Sequence, residues 1–254
     1  MKIGIIREGK NPPDKRVPFT PIQLKKIMER YSSVEVVVQK SKVRAIKDEE
    51  YENIGIPIVE KVDDVDVIFG VKELNIEDLV PNKIHFFFSH TIKKQPYNRG
   101  LLKNILQKNI TLIDYECLVN SDGIRILGFG RYAGIVGTYN NLLAYGNRTS
   151  QFDLKAAHNC HDKNELYQEL DKVNLPETFK IVITGLGRVA SGTMEILDYL
   201  KIKKVSSEEF MNQDINVPTY TQLSVNEYFK KPDNSDFKRE EVYSHPERFE
   251  SNFM

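Results

Sequence analysis

The stretch KIVITGLGRVASGTMEILDYL, residues 180–200, decides how the chain is read. Four β-branched residues follow Lys180 and predict a short strand. Gly185 and Gly187 interrupt it, and an amphipathic helical pattern follows. Gly185, Gly187 and Ala190 fit the spacing G-x-G-x-x-G/A in the strand–turn–helix setting that gives the motif meaning. The first glycine permits a tight turn and the second lets the backbone approach a pyrophosphate, which the helix N-terminus stabilises. The stretch therefore predicts a dinucleotide-binding turn running through Gly185, Gly187, Arg188, Val189 and Ala190.

Working outward, residues 129–146, FGRYAGIVGTYNNLLAYG, predict a long helix in which Gly134 and Gly137 permit close packing and which links two domains. The segment from Asn147 to Phe179 is polar, helical or irregular. His158, Cys160 and His161 cluster there but lack a second ligand pair at finger spacing, so no metal site is expected. Downstream, "KKVSS" and "PTYTQLSV" supply two short strands, and a polar tail follows Val225.

Toward the N-terminus, short apolar strands alternate with helical patterns: "KIGII" (2–6), "VEVVV" (34–38), "IPIVE", "VDVIFGV", "IHFFF", "ITLID" and "IRILGF" all read as strands. Thr20, Pro21 and Gln23 form a capping box that opens a helix bearing Leu24, Ile27, Met28 and Tyr31 on one face. "GLLKNILQK" predicts a second helix. Such alternation argues a mainly parallel, doubly wound α/β sheet. The expectation is α/β with two Rossmann-like domains and a cleft between them: residues 1–128 form a catalytic and substrate domain, and 129–254 a linker helix with a dinucleotide-binding domain.

In open sheets of this type ligands bind beyond the carboxyl ends of the strands. The polar residues there are Arg7, Lys15 and Arg16 after the first strand, Lys72-Glu73 after "VDVIFGV", His90, Lys93 and Gln95 after "IHFFFS", and Asp114 and Glu116 after "ITLID". Each has an ordinary alternative. Lys72-Glu73 also reads as a solvated pair, His90 as a structural histidine, and Arg16 as a partner of Asp14 or Glu8.

Lys+Arg and Asp+Glu both number 36, giving a net charge of +0, so no electrostatic footprint for nucleic acid or an anionic membrane is present. No apolar run approaches the roughly 18 residues of a membrane span, and the N-terminus lacks a signal-peptide core. Cys117 and Cys160 read as reduced thiols, so a cytoplasmic protein is expected. Composition leaves the oligomeric state undetermined.

"DKRVPFTP", "GVKEL", "FFFSHTIKKQ", "TLIDYECL", "GFGRYAGIVG" and "ITGLGRVASG" occur in an order and spacing that resembles the alanine dehydrogenase and lysine-forming saccharopine dehydrogenase superfamily. The resemblance runs to about residue 200 and is closer to the saccharopine branch. It implies an NAD-dependent amino-acid oxidoreductase, NADP not being excluded, that splits saccharopine into lysine and 2-oxoglutarate. It also implies Lys72 and His90 as the acid–base pair, and Arg16, Lys93, Gln95, Glu116 and Phe129 as substrate contacts. An alanine dehydrogenase-like enzyme and a non-catalytic dinucleotide-binding module remain open alternatives.

The implied chemistry removes a hydride from a carbon bearing an amine, leaving an imine that water attacks. Lys72 serves as base in its neutral form, which burial and neighbouring cations favour. A histidine, titrating near about 6.5, suits the proton transfers to and from water. Arg16 offers a fork for a carboxylate. Three features depart from the family pattern: no acidic residue closes "KKVSS", Arg125 is shifted from the place of the expected arginine, and the chain stops early. An incomplete second domain with weak cofactor binding is the resulting expectation.

Overall fold

The computed structural model describes residues 1–252 and divides into two compact units, Met1–Gly128 and a second beginning at Phe129. In the first unit β1 (Lys2–Ile5), α1 (Pro21–Arg30), β2 (Glu35–Gln39), α2 (Asp48–Glu52), β3 (Ile58–Val59), β4 (Val67–Phe69), β5 (Ile84–Phe87), α3 (Arg99–Gln107) and β6 (Thr111–Asp114) follow in order. The six strands form one sheet in the order β3-β2-β1-β4-β5-β6, with every pairing parallel. The order reverses between β1 and β4, the switch point at which ligands enter doubly wound sheets.

The side-chain period of two builds both faces of this sheet. Ile3, Ile5, Val36 and Val38 point to the layer of α1, where Leu24 and Tyr51 are fully buried. Val37, Ile68 and Phe87 point to the opposite layer with Leu101 and Ile105 of α3. The aromatic run of β5 divides likewise. Phe87 lies in the α3 core, while Phe86 stacks on Phe69 at 4.5 Å and Phe88 meets Tyr115 edge-on at 5.2 Å. Helix α1 starts where the sequence indicates, with the Thr20–Gln23 capping box formed and Pro21 in its first turn.

The stretch "IRILGF" does not become a sheet strand. Asn120 accepts the backbone N–H groups of Asp122 and Ile124, Gly123 takes φ 74°, and the turn closes on an isolated Val119–Arg125 bridge. A strong local turn thus overrides β-propensity, and Ile124 and Ile126 stay exposed.

The second unit contains α4 (Gly130–Thr149), α5 (Lys163–Leu170), β7 (Lys180–Thr184), α6 (Arg188–Tyr199), β8 (Lys203–Lys204), α7 (Ser207–Asn212) and β9 (Thr219–Leu223). Its parallel sheet has the order β7-β9-β8, so the strand "PTYTQLSV" lies beside β7 and "KKVSS" lies outside it. Helices α4 and α6 cross without space for side chains. A Cβ on Gly134 would lie 2.0 Å from the Val189 carbonyl oxygen, and one on Gly192 would lie 1.9 Å from that of Arg131. Arg131 clamps the crossing through a two-pronged ion pair with Glu195, which also accepts from Lys163 and Tyr167. The region after Val225 is more ordered than a polar tail: α8 (Val225–Tyr228), β10 (Phe229–Lys230), α9 (Arg239–Ser244) and β11 (Glu250–Ser251) follow, with β10 and β11 antiparallel. It extends no parallel sheet. No helix among the described residues is long and apolar enough to cross a membrane.

Candidate active site

The carboxyl edge of the first sheet gathers charge at the switch point. β1 runs into Glu8, whose carboxylate accepts the backbone N–H groups of Val71 (2.7 Å) and Lys72 (2.9 Å) just beyond β4. One side chain therefore pins the two central strand ends together and fixes where Lys72 emerges. Burial raises the Glu8 carboxyl above its ordinary range, and these two donors and Arg16 oppose it. Sequence reading named Glu8 only as a partner for Arg16. In the structure Arg16 grips Asp14 instead, through Nη2 at 2.5 Å and Nε at 2.9 Å. That hydrogen bond, with the nearby charges of Arg16 and Lys72, holds the Asp14 carboxyl below its usual range.

Glu73 lies at the centre of the site. Its Oε1 meets His90 Nδ1 at 2.5 Å and its Oε2 meets Lys10 Nζ at 2.8 Å. Burial pushes the carboxyl up, but the hydrogen bonds from Lys10 and His90 outweigh it and hold the group at about 2. Glu73 is thus ionised, and the ring proton of His90 resides on Nδ1 facing it. Nε2 is then the ring atom that can exchange protons elsewhere. The backbone of His90 adopts the left-handed region, φ 55°, as does Lys94, φ 52°. Two such residues in one turn are costly unless the surroundings fix them. Here Asp114 does so from β6, accepting the N–H of Ser89 at 3.2 Å and its hydroxyl at 2.5 Å, while Asn98 donates to the Ser89 carbonyl.

The same Asp114 accepts the N–H of Glu116 at 2.8 Å and so aims the next carboxylate. Glu116 Oε1 lies 3.3 Å from both Lys93 Nζ and Arg125 Nη1. Its Oε2 is buried without a hydrogen-bond partner, so the site retains acceptor capacity for a bound cation. Of the residues named from the sequence, Lys72, His90, Lys93 and Glu116 all emerge from the ends of β4, β5 and β6. Arg16 joins them from the loop after β1, Gln95 opens the turn before α3 and lines a groove with Arg99 and Leu102, and Phe129 is the N-cap of α4.

In the second unit Gly185 has φ 82°, a value that favours glycine, and a Cβ on Gly187 would meet nothing within 4 Å. The space before α6 is therefore open to a phosphate, with Arg188 and Val189 in the first turn and Ala190 buried against the core under β7. These residues fit a dinucleotide. A 680 Å³ cavity of this unit borders the turn at Thr184, Val189 and Ala190 and runs along the free edge of β7 against α4. Among the described residues no group of three His, Cys, Asp or Glu is placed to hold a metal ion.

Comparison with known proteins bears on both units. Over 272 residues the chain is 34% identical to the mitochondrial alpha-aminoadipic semialdehyde synthase of Bos taurus, covering 99% of this chain and 29% of that protein. It is 27% identical over 228 residues to the saccharopine dehydrogenase (NAD(+), L-lysine-forming) of Yarrowia lipolytica, covering 83% and 60% respectively. The chain therefore spans less than two thirds of the length of either relative. A solved L-alanine dehydrogenase shares the fold, with a TM-score of 0.58 at 16% identity over 87% of this chain and 60% of that one. Residues 4–136 match the alanine dehydrogenase/PNT N-terminal domain, and the chain belongs to that family.

Proposed function

We propose that the chain serves a nicotinamide-dependent oxidation at a C–N bond of an amino acid, of the saccharopine type: saccharopine and water yield lysine and 2-oxoglutarate as a hydride is lost. The observation that supports it best is the ionised Glu73 held between Lys10 and His90, one residue from a Lys72 whose backbone Glu8 fixes. The relatives named for saccharopine dehydrogenase and alpha-aminoadipic semialdehyde synthase support the substrate class.

In this reading Lys72 takes the proton of the secondary amine. A nicotinamide dinucleotide, held through its pyrophosphate at the turn from Gly185 to Ala190, would supply the hydride acceptor. His90, its Nδ1–H held by Glu73, uses Nε2 to take a proton from the water that attacks the imine and later returns one to the departing amine. Glu73 thereby fixes the tautomer that leaves Nε2 available. Arg16, paired with Asp14, exchanges that partner for a substrate carboxylate. Glu116 Oε2 and Lys93 receive the polar ends of the substrate, and Gln95 and Phe129 supply further substrate contacts.

The test is oxidation of NADH or NADPH by the chain with lysine plus 2-oxoglutarate, set against pyruvate plus ammonia. Oxidation with the first pair alone is the expected result. Faster oxidation with the second would make it an alanine dehydrogenase-type enzyme. Dinucleotide binding without turnover of any amino acid would reduce it to a binding module.

A further inference from the structure

The peptide that carries Arg16 is held from both ends. Its N–H, that of Arg16, donates to Asp14 Oδ1 at 3.0 Å, and its carbonyl, that of Lys15, accepts the N–H of Ala45 at 2.7 Å. A peptide unit is planar and stiff, so bonds at both of its polar groups fix the direction in which the next side chain leaves the backbone. The bond to Asp14 is local. The bond to Ala45 reaches across to the loop between β2 and α2, residues 40–47.

Arg44 closes that loop. Its Nη2 donates to the Gln39 carbonyl at the end of β2 at 2.5 Å and also to the Asp48 carboxylate at the start of α2, which its Nε reaches at 3.1 Å. The guanidinium lies 5.2 Å from the centre of the Tyr51 ring, whose hydroxyl donates to the Phe19 carbonyl at 2.9 Å. Through Ala45 and Tyr51, Arg44 therefore braces the chain on both sides of Arg16. Its side chain is only 4% exposed, yet Nη1 is buried without a hydrogen-bond partner. A dry donor costs stability, and an apolar side chain commonly fills such a place at less expense than a buried cation. What the guanidinium supplies in return is geometry: one rigid fork that joins a strand end, a helix start and a ring.

We infer that Arg44 is a positioning residue for substrate, acting through the Lys15–Arg16 peptide to hold the Arg16 fork where a carboxylate of the substrate arrives. The inference rests on the reading of Arg16 as a substrate contact and goes beyond it by naming what orients that arginine.

The test is a double-mutant cycle on the full chain, read by calorimetric titration with 2-oxoglutarate in the presence of NADH. Arg44→Met should weaken 2-oxoglutarate binding about tenfold, and Arg44→Lys, which keeps a donor for Gln39 and Asp48, should recover part of the loss. In an Arg16→Ala background Arg44→Met should cost less than about twofold, because the group it orients is gone. A purely structural role would give the same loss in both backgrounds and would overturn the inference, as would unchanged affinity in folded Arg44→Met. Should Arg44→Met unfold, Tyr51→Phe, which removes only the hydroxyl bond to Phe19, carries the same expectation of weakened binding that vanishes with Arg16→Ala. Arg16→Ala binding as tightly as the parent chain, or a parent chain that binds no 2-oxoglutarate, would instead remove the reading of Arg16 and this inference with it.

Discussion

The two sites of this chain are made of different material. At the switch point of the first sheet, side chains gather from four strand ends: Glu8, Lys72, Glu73, His90 and Glu116 are charged or titratable and locked by hydrogen bonds. The turn of the second unit carries no acidic or titratable cluster of this kind. Gly185 and Gly187 present bare backbone and the start of α6 to open space. The difference fits the proposed roles, in which the first site acts on protons, which need groups of tuned charge, and the second holds an anion, which needs donors and room. Substitutions in the two places should consequently fail in different ways.

The largest expected effect comes from Lys72→Met. A general base contributes about 10²–10⁴-fold to rate, and turnover in the assay above should fall on that scale while dinucleotide affinity stays within about twofold. Unchanged turnover would assign the base to another residue. An equal loss of cofactor binding would abolish the contrast between the sites.

Next is Gly134→Leu at the α4–α6 crossing. A Cβ there would lie 2.0 Å from the Val189 carbonyl oxygen and 2.8 Å from the Thr193 nitrogen, both backbone atoms that cannot rotate away. Overpacking usually costs about 1–3 kcal/mol, and this contact belongs at the top of that range or above it. Thermal unfolding of the full chain should show the loss, with the transition of the second unit falling first. A melting curve like that of the parent chain would mean the helices can part freely.

Stability should also sharpen the comparison through pH. His85 is fully buried on β5, its Nε2 accepts the Val80 N–H, and burial pulls its imidazole down to about 4. It is neutral when folded, but in the unfolded chain it binds a proton near about 6.5. The stability it carries is therefore complete above that value and is lost as pH falls from there through about 4, on the order of 3 kcal/mol in all. Glu73 behaves as a carboxylate whose window lies lower, from its ordinary value near 4.5 down through about 2. Denaturant unfolding between pH 7 and 4 should reveal the first window, and His85→Phe should flatten it. A curve unaltered by that substitution would place the acid sensitivity elsewhere.

The sequence showed the period-two strands, the Thr20 cap and the glycine turn because each is written within a few neighbouring residues. The sites were legible only as endpoints. Lys72, His90 and Glu116 stood at strand ends, yet Glu73 looked like half of a solvated pair, since its partners Lys10 and His90 lie 63 and 17 residues away. Glu8 was hidden for the same reason: it reaches a backbone 64 residues on, and backbone donors leave no mark in composition. The misread strand at "IRILGF" and the place of β9 beside β7 both reflect decisions of tertiary pairing that propensity does not carry.

The smallest expected effect, and the most selective, is that of Gly187→Val. Gly187 has φ −86° and ψ −174°, extended backbone that valine adopts readily, and a Cβ would touch nothing within 4 Å. The fold therefore has no reason to object, and the melting temperature should stay close to that of the parent chain. The same emptiness is where a pyrophosphate must come against the backbone N–H groups that open α6. Two methyl groups placed there hold the phosphate away and shield the helix end, so NADPH or NADH should bind about tenfold more weakly, a change of about 1.4 kcal/mol. Proton transfer at Lys72 and His90 is untouched, so turnover at saturating cofactor should recover. A loss of stability equal to the loss of affinity would mean that the turn is a packing element, and unchanged affinity would mean that the phosphate binds elsewhere.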